Sequence, residues 1–71
     1  MNTTPANKTM TGGFEAVDQA RAAHRDMIAY GIPEEKIFID EDRKEIKVII
    51  PEEQIPQIRE VFGNHGISPT Q

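Results

Sequence analysis

Helix-like and strand-like hydrophobic patterns alternate along this chain, and their order restricts the possible folds more than any other feature. The clearest helical segment is Glu15–Tyr30, in which apolar residues recur in one arc at about 100° per residue. Gly31 and Pro33 mark its end, because glycine favours a helix C-terminus and proline does not continue a helix. The arc that we expect to face the core comprises Ala16, Val17, Ala20, Ala23, Met27, Ile28 and Tyr30.

A second helix is predicted between Pro51 and Gly66, where apolar residues again recur at helical spacing. Pro56 is acceptable only in the first turn of a helix, because deeper inside it removes a hydrogen bond and clashes with the preceding turn. We therefore place the start of the regular helix near Ile55, with a turn before it, and its end at Gly66.

Three short runs have strand character: Lys8–Gly13, Lys36–Asp40 and Glu45–Ile50. The third run alternates apolar and other residues with period two, as a half-buried strand does. The four charged residues between the second and third runs suit a hairpin. The pair of glycines that closes the first run predicts a tight turn into the helix.

The order strand, helix, strand, strand, helix favours an α+β fold. We predict a ferredoxin-like split βαβ sandwich, with two helices on one face of an antiparallel sheet. Pro69 limits any fourth strand, so the last strand is expected to be short or absent, which leaves backbone groups unpaired along the first strand. We predict a disordered tail over residues 1–7 and one domain over residues 8–71.

The predicted domain is small for a self-sufficient core. A chain of 71 residues buries only about 60% of the surface that its unfolded form exposes. The chain has no cysteine, so neither a disulfide nor a thiolate metal site adds stability. We therefore expect a protein partner or a homodimer to bury further surface.

The charge balance argues against two classes of partner. Twelve acidic residues against eight basic ones give a net charge of −4, whereas nucleic-acid binders usually carry a basic excess. No stretch approaches the ~20 apolar residues of a membrane span. Residues 1–11 carry one lysine and no apolar run, so we expect no signal peptide and a cytoplasmic protein.

Short motifs between residues 8 and 67 follow a recognisable order. They are Gly12-Gly13-Phe14, Ala20 with Ala23, Gly31-Ile32-Pro33, Ile37 with Ile39, and His65-Gly66. Together they resemble the small α/β domain of bacterial general stress proteins. The resemblance implies a cytoplasmic bacterial protein associated with stress, without a defined catalytic site, and it carries over no functional residue.

Four residues are candidates for ligand binding: Gly12, Gly13, His24 and His65. A glycine pair before a helix presents backbone N–H groups to an anion, but the lysine of a phosphate-binding loop is missing, so we favour a plain turn. The two histidines lie on helices that cover the same sheet face, where they and a carboxylate would suit a metal. We favour structural roles for both, and predict no metal and no cofactor.

No catalytic set is predicted. The only serine is Ser68, near the chain end, and a cysteine nucleophile is missing. The acidic residues of the predicted hairpin lack the glycine and the spaced oxygen ligands of a calcium loop, so we expect a solvated turn. These residues are Asp40, Glu41, Asp42 and Glu45.

The best functional signal is that the predicted strands are apolar on both faces. On the second strand, Phe38 points opposite to Ile37 and Ile39, so either Phe38 or the isoleucine pair is left on the face that the helices do not cover. Ile49 is similarly opposed to the other apolar residues of the third strand. An open face that bears Phe38 and Ile49 is typical of an association surface.

From this signal we predict a non-enzymatic protein-interaction or assembly module that acts through the open sheet face or the unpaired strand edge. The predicted interface residues are Phe38, Ile49, Lys47 and Met10. The alternative is a regulatory domain that binds a metabolite, an anion or a metal at a dimer interface.

Overall fold

The computed structural model describes residues 7–70, which form an α+β fold with two α-helices and a four-stranded antiparallel sheet. The elements in chain order are β1 (Asn7–Gly13), α1 (Val17–Ala29), β2 (Ile37–Asp40), β3 (Glu45–Pro51), α2 (Ile55–Asn64) and β4 (Ser68–Pro69). Short 3₁₀ helices at Glu34–Lys36 and Glu52–Gln54 precede β2 and α2. The predicted tail lies outside the described residues except for Asn7, which begins β1.

The strands lie in the order β2-β3-β1-β4, and every neighbouring pair is antiparallel. β1 pairs with β3 along its whole length, from Asn7 opposite Pro51 to Gly13 opposite Glu45. On its other side β1 pairs with β4 only at Gly12 and Gly13. Most of that side of β1 therefore has no strand beside it within residues 7–70.

The charged connection between β2 and β3 forms the predicted hairpin turn. The Asp40 carboxylate accepts hydrogen bonds from the backbone N–H groups of Asp42 and Arg43, both at 3.1 Å. Such a side-chain bond to the following backbone is how aspartate stabilises turns. Lys44 completes the turn with a positive φ of 56°.

α1 ends where the sequence predicts, because Gly31 adopts a positive φ of 95° directly after the last turn. The helix is shorter than predicted and buries Ala20, Ala23 and Met27. Three members of the predicted apolar arc are wrong: Ala16 is exposed and precedes the first helical residue, and Ile28 is 41% and Tyr30 46% exposed. Tyr30 follows the last helical residue. Ile28 is rotated about the helix axis by about 100° from the buried Met27, so its side chain points away from the core.

α2 begins at Ile55, as predicted from Pro56, which occupies the first turn. It buries Ile58, Val61 and Phe62, and the chain leaves it through Gly66 with a positive φ of 71°. The predicted boundaries of this helix are confirmed to within two residues.

One hydrophobic core lies between the sheet and both helices. The alternate residues Ile46, Val48 and Ile50 of β3 are fully buried, and they belong to the same cluster as the buried residues of α1 and α2. Both helices therefore cover one face of the sheet. Ala20 and Ala23 are also fully buried, and their small side chains let α1 lie close to its neighbours.

Gly12 and Gly13 are strand residues, so the predicted turn at this pair is wrong. The turn into α1 comes later, between Phe14 and Val17. A Cβ atom on Gly12 would lie 2.6 Å from Ile67 Cγ2 and 2.9 Å from Phe62 Cε2. Glycine is needed here because another part of the chain packs directly on the strand backbone.

Candidate functional site

The structure places Phe38 and Ile49 on the sheet face opposite the helices. Phe38 is 50% exposed and Ile49 is half-buried. Lys47 lies directly opposite Phe38, and Thr9 lies opposite Ile49. The two apolar side chains are thus diagonal neighbours set among polar ones, and the described part of the open face is not a continuous apolar surface.

Met10, the fourth predicted interface residue, lies on the helix side of the sheet and not on the open face. Its side chain is 8% exposed and belongs to the core cluster. The alternation of strand side chains turns Met10 toward the helices, because Thr9 and Thr11 on either side of it face the other way.

The outer edge of β1 presents backbone groups to solvent. Thr11 faces this edge, since its carbonyl oxygen accepts a hydrogen bond from the Thr70 backbone N–H at 2.7 Å. Residues two apart on a strand direct their N–H and C=O groups to the same side. The backbone groups of Thr9 therefore point to the same edge, and no strand within residues 7–70 pairs with them.

A groove runs beside this edge, with α2 as its other wall. Its volume is about 170 Å³, and it is lined by Lys8, Thr9, Met10, Thr11, Ile55, Arg59 and Pro69. Met10 and Ile55 supply apolar surface, while Lys8 and Arg59 supply two positive charges and no lining residue supplies a carboxylate. In the part of the chain that the structure describes, neither cation forms an ion pair.

A second, larger concavity of about 760 Å³ lies at the β2–β3 hairpin. Its lining residues are Phe38, Ile39, Asp40, Glu41, Asp42, Arg43, Glu45 and Lys47. Six of these eight are exposed, and acidic and basic side chains are mixed. This surface is open to water and, as expected from the sequence, forms a solvated, charged hairpin.

Gly12 and Gly13 do not form an anion site at a helix N-terminus. Both are paired with β3 on one side and with β4 on the other, and Gly12 is buried. An anion site at these glycines would need free backbone N–H groups in a turn before a helix. The glycines lie in a strand instead, and pairing with β3 and β4 occupies their backbone groups.

The two histidines have different surroundings. His65 Nε2 lies 2.7 Å from Asp26 Oδ2, which links the end of α2 to α1. His24 is half-buried on α1. Within residues 7–70 the structure holds no group of three or more His, Asp or Glu side chains placed to bind a metal ion.

Gln19 connects the start of α1 to the end of α2, a role that the sequence analysis missed. Its Oε1 accepts hydrogen bonds from the backbone N–H groups of Glu15 at 2.8 Å and Ala16 at 2.9 Å. Its Nε2 donates to the carbonyl oxygens of His65 at 2.9 Å and Gly66 at 3.4 Å. Glutamine at this position is half of a capping box, but the usual Ser or Thr partner is replaced by Ala16.

Apart from Met10, the residues of the groove were not predicted from the sequence. Ile55 and Arg59 are one helical turn apart, so their common face on α2 was predictable from spacing. Their position beside Lys8 and Thr9 depends on how α2 packs against β1, which spacing does not show.

Comparisons with known proteins identify no relative. No family model matches the chain, and no curated protein or solved structure matches it either. Neither helix in the described residues is long and apolar enough to cross a membrane.

Proposed function

We propose that this chain is a non-enzymatic protein-interaction module, and that it binds an extended segment of a partner at the outer edge of β1. One observation carries this proposal: β4 pairs with two of the seven residues of β1, so on the side away from β3 the N–H and C=O groups of Thr9 have no strand beside them in the described structure. An extended peptide adds to such an edge through main-chain hydrogen bonds.

The groove beside β1 supports strand addition over small-molecule binding. Its volume of about 170 Å³ is below the roughly 300–1,000 Å³ of typical ligand pockets. It is large enough for side chains that an added strand would project toward α2. Main-chain bonds along β1 and side-chain contacts in the groove are the two parts of recognition by strand addition.

The alternative of a ligand-binding domain has less support. The contacts expected for it were Gly12, Gly13, His24 and His65. Both glycines belong to the ladder, and His65 is hydrogen-bonded to Asp26. These observations favour structural roles for three of the four residues that a ligand would need.

Within this proposal we assign the fold to the ferredoxin-like class. The support is the element order β-α-β-β-α-β, with β1 between β3 and β4 and both helices on one face. A cytoplasmic, stress-associated setting is part of the proposal and is supported only by the motif resemblance.

The experiment that tests the proposal removes one outward-facing N–H group. Thr9→Pro lacks the donor that an added strand needs, while the ladder with β3 does not use that group. The probe is a capped peptide, acetyl-Val-Ser-Gln-Ser-Val-Ser-Gln-amide, titrated into ¹⁵N-labelled protein. We expect amide shifts at Asn7, Thr9 and Thr11, and in Thr9→Pro the loss of the shifts at Asn7 and Thr11.

Thr9→Val is the matched control, because it changes the side chain and keeps the N–H group. It should bind the peptide as the original chain does. Equal binding by Thr9→Pro and Thr9→Val, or shifts in the original chain confined to β2, would overturn the proposal. The second outcome is measured on the original chain, so it does not depend on whether the proline variant folds.

A further inference from the structure

We infer that the partner segment bound at β1 is acidic, with a carboxylate side chain two residues away from an apolar one. This inference rests on the proposed strand addition and specifies its ligand. It follows from the charge of the groove, which is opposite to that of the chain as a whole.

The groove concentrates positive charge on an acidic protein. The chain carries 12 acidic and 8 basic residues, yet the groove is lined by two cations and no carboxylate. Lys8 and Arg59 come from different elements, β1 and α2, and face the same space. A negative side chain that enters this space is attracted by both charges.

The strand period determines the spacing of the partner's residues. Side chains of an added strand alternate between the helix face and the open face of the sheet. Those on the helix face meet Met10 and Ile55 as well as Lys8 and Arg59. One apolar and one acidic side chain on that face are two residues apart, which gives the pattern acidic–x–apolar or its reverse.

The experiment compares three capped peptides that differ only in charge. All have the form Val-Ser-X-Ser-Val-Ser-X, with glutamate, glutamine or lysine at both X positions, so that valine and X share one face. Two solvent-exposed ion pairs contribute roughly 0.4–2 kcal/mol together, so we expect the glutamate peptide to bind about 2- to 30-fold tighter than the glutamine peptide. The lysine peptide should bind more weakly than either, and the preference should shrink as salt is raised.

Charge reversal in the groove should invert this order. The double variant Lys8→Glu with Arg59→Glu is expected to prefer the lysine peptide, and both positions are exposed, so the fold should persist. The control variant Arg25→Glu with Arg43→Glu makes the same change in net charge at exposed sites outside the groove. It should still bind the glutamate peptide most tightly.

The outcomes separate this inference from the function on which it rests. Equal affinity for all three peptides, with binding lost in Thr9→Pro, would overturn the acidic preference and leave strand addition intact. An unchanged preference in the Lys8 and Arg59 variant would also overturn it. No binding of any peptide would overturn both, as would sedimentation showing that a second copy of the chain already occupies the edge.

Discussion

The two outer edges of the sheet differ in length and in what lies beside them. β2 forms one edge with four residues and leads into a charged turn. β1, with seven residues, forms most of the other edge, because β4 covers only Gly12 and Gly13. A helix with apolar and basic side chains borders the open part of β1, whereas charged hairpin residues border β2.

Short length and charge are the usual means by which proteins prevent unwanted strand pairing at an edge. β2 has both. The open part of β1 belongs to a longer strand and carries one charged residue, Lys8, with a partly apolar groove beside it and no covering strand within residues 7–70. The comparison indicates that β2 is the better protected of the two edges.

The largest expected effect comes from breaking the part of the β1 edge that β4 covers. Gly12→Ala would place a Cβ atom 2.6 Å from Ile67 Cγ2 and against the buried Phe62 ring. Overpacking of this kind costs about 1–3 kcal/mol of unfolding free energy, measured by urea denaturation.

Gly13→Ala is the control for that substitution, because its nearest neighbours would be 3.8 Å and 4.0 Å away. Its stability should change by no more than about 0.5 kcal/mol, as is usual away from the core. Equal losses in the two variants would show that close packing against Ile67 is not what requires Gly12.

A smaller effect is expected when the link between the two helices is removed. Gln19→Ala loses both the cap on α1 and the bonds to the carbonyl groups of His65 and Gly66, just before β4. We expect a loss of about 1–2 kcal/mol, with faster hydrogen exchange of the Thr70 amide that donates to Thr11.

Gln57→Ala, on the exposed surface of α2, is the control for a lost glutamine side chain. It should leave both stability and the exchange of Thr70 unchanged. Unaltered exchange in Gln19→Ala would contradict the idea that this link holds β4 on the edge of β1.

The smallest effect is expected on the open face. Phe38→Ser removes a half-exposed ring from the sheet face that the helices do not cover, so the free energy of unfolding should change by no more than about 0.5 kcal/mol. Peptide affinity should also be unchanged, because Phe38 does not line the groove beside β1. A larger loss of affinity in Phe38→Ser than in Thr9→Pro would show that the peptide binds the open face of the sheet and not the edge of β1.

The parts of the fold that local patterns control were predictable. Gly31 and Pro33 identified the end of α1, and Pro56 identified the start of α2, because each restricts the backbone at its own position. The hairpin followed from a charged connection between two strand-like runs. For the candidate site, the sequence predicted an open sheet face or an unpaired strand edge, but not which of the two or which residues lie beside it.

The errors share one cause. Gly12 was assigned to a turn, and Ala16, Ile28 and Tyr30 to the core. In each case the outcome depends on what packs nearby: Ile67 and Phe62 lie on Gly12, and the sheet covers only part of the face of α1. Periodicity shows which side chains share a face, and it does not show what that face meets.

The sequence by itself determined the types of the main elements and their order, since period and backbone restrictions are properties of neighbouring residues. It also determined that the fourth strand would be short, because Pro69 has no N–H to donate. Only the tertiary structure decided that α2 lies along the open part of β1. That packing places Lys8 and Arg59, 51 positions apart in the chain, on the same groove, because the position of a helix against a strand is decided by the core between them.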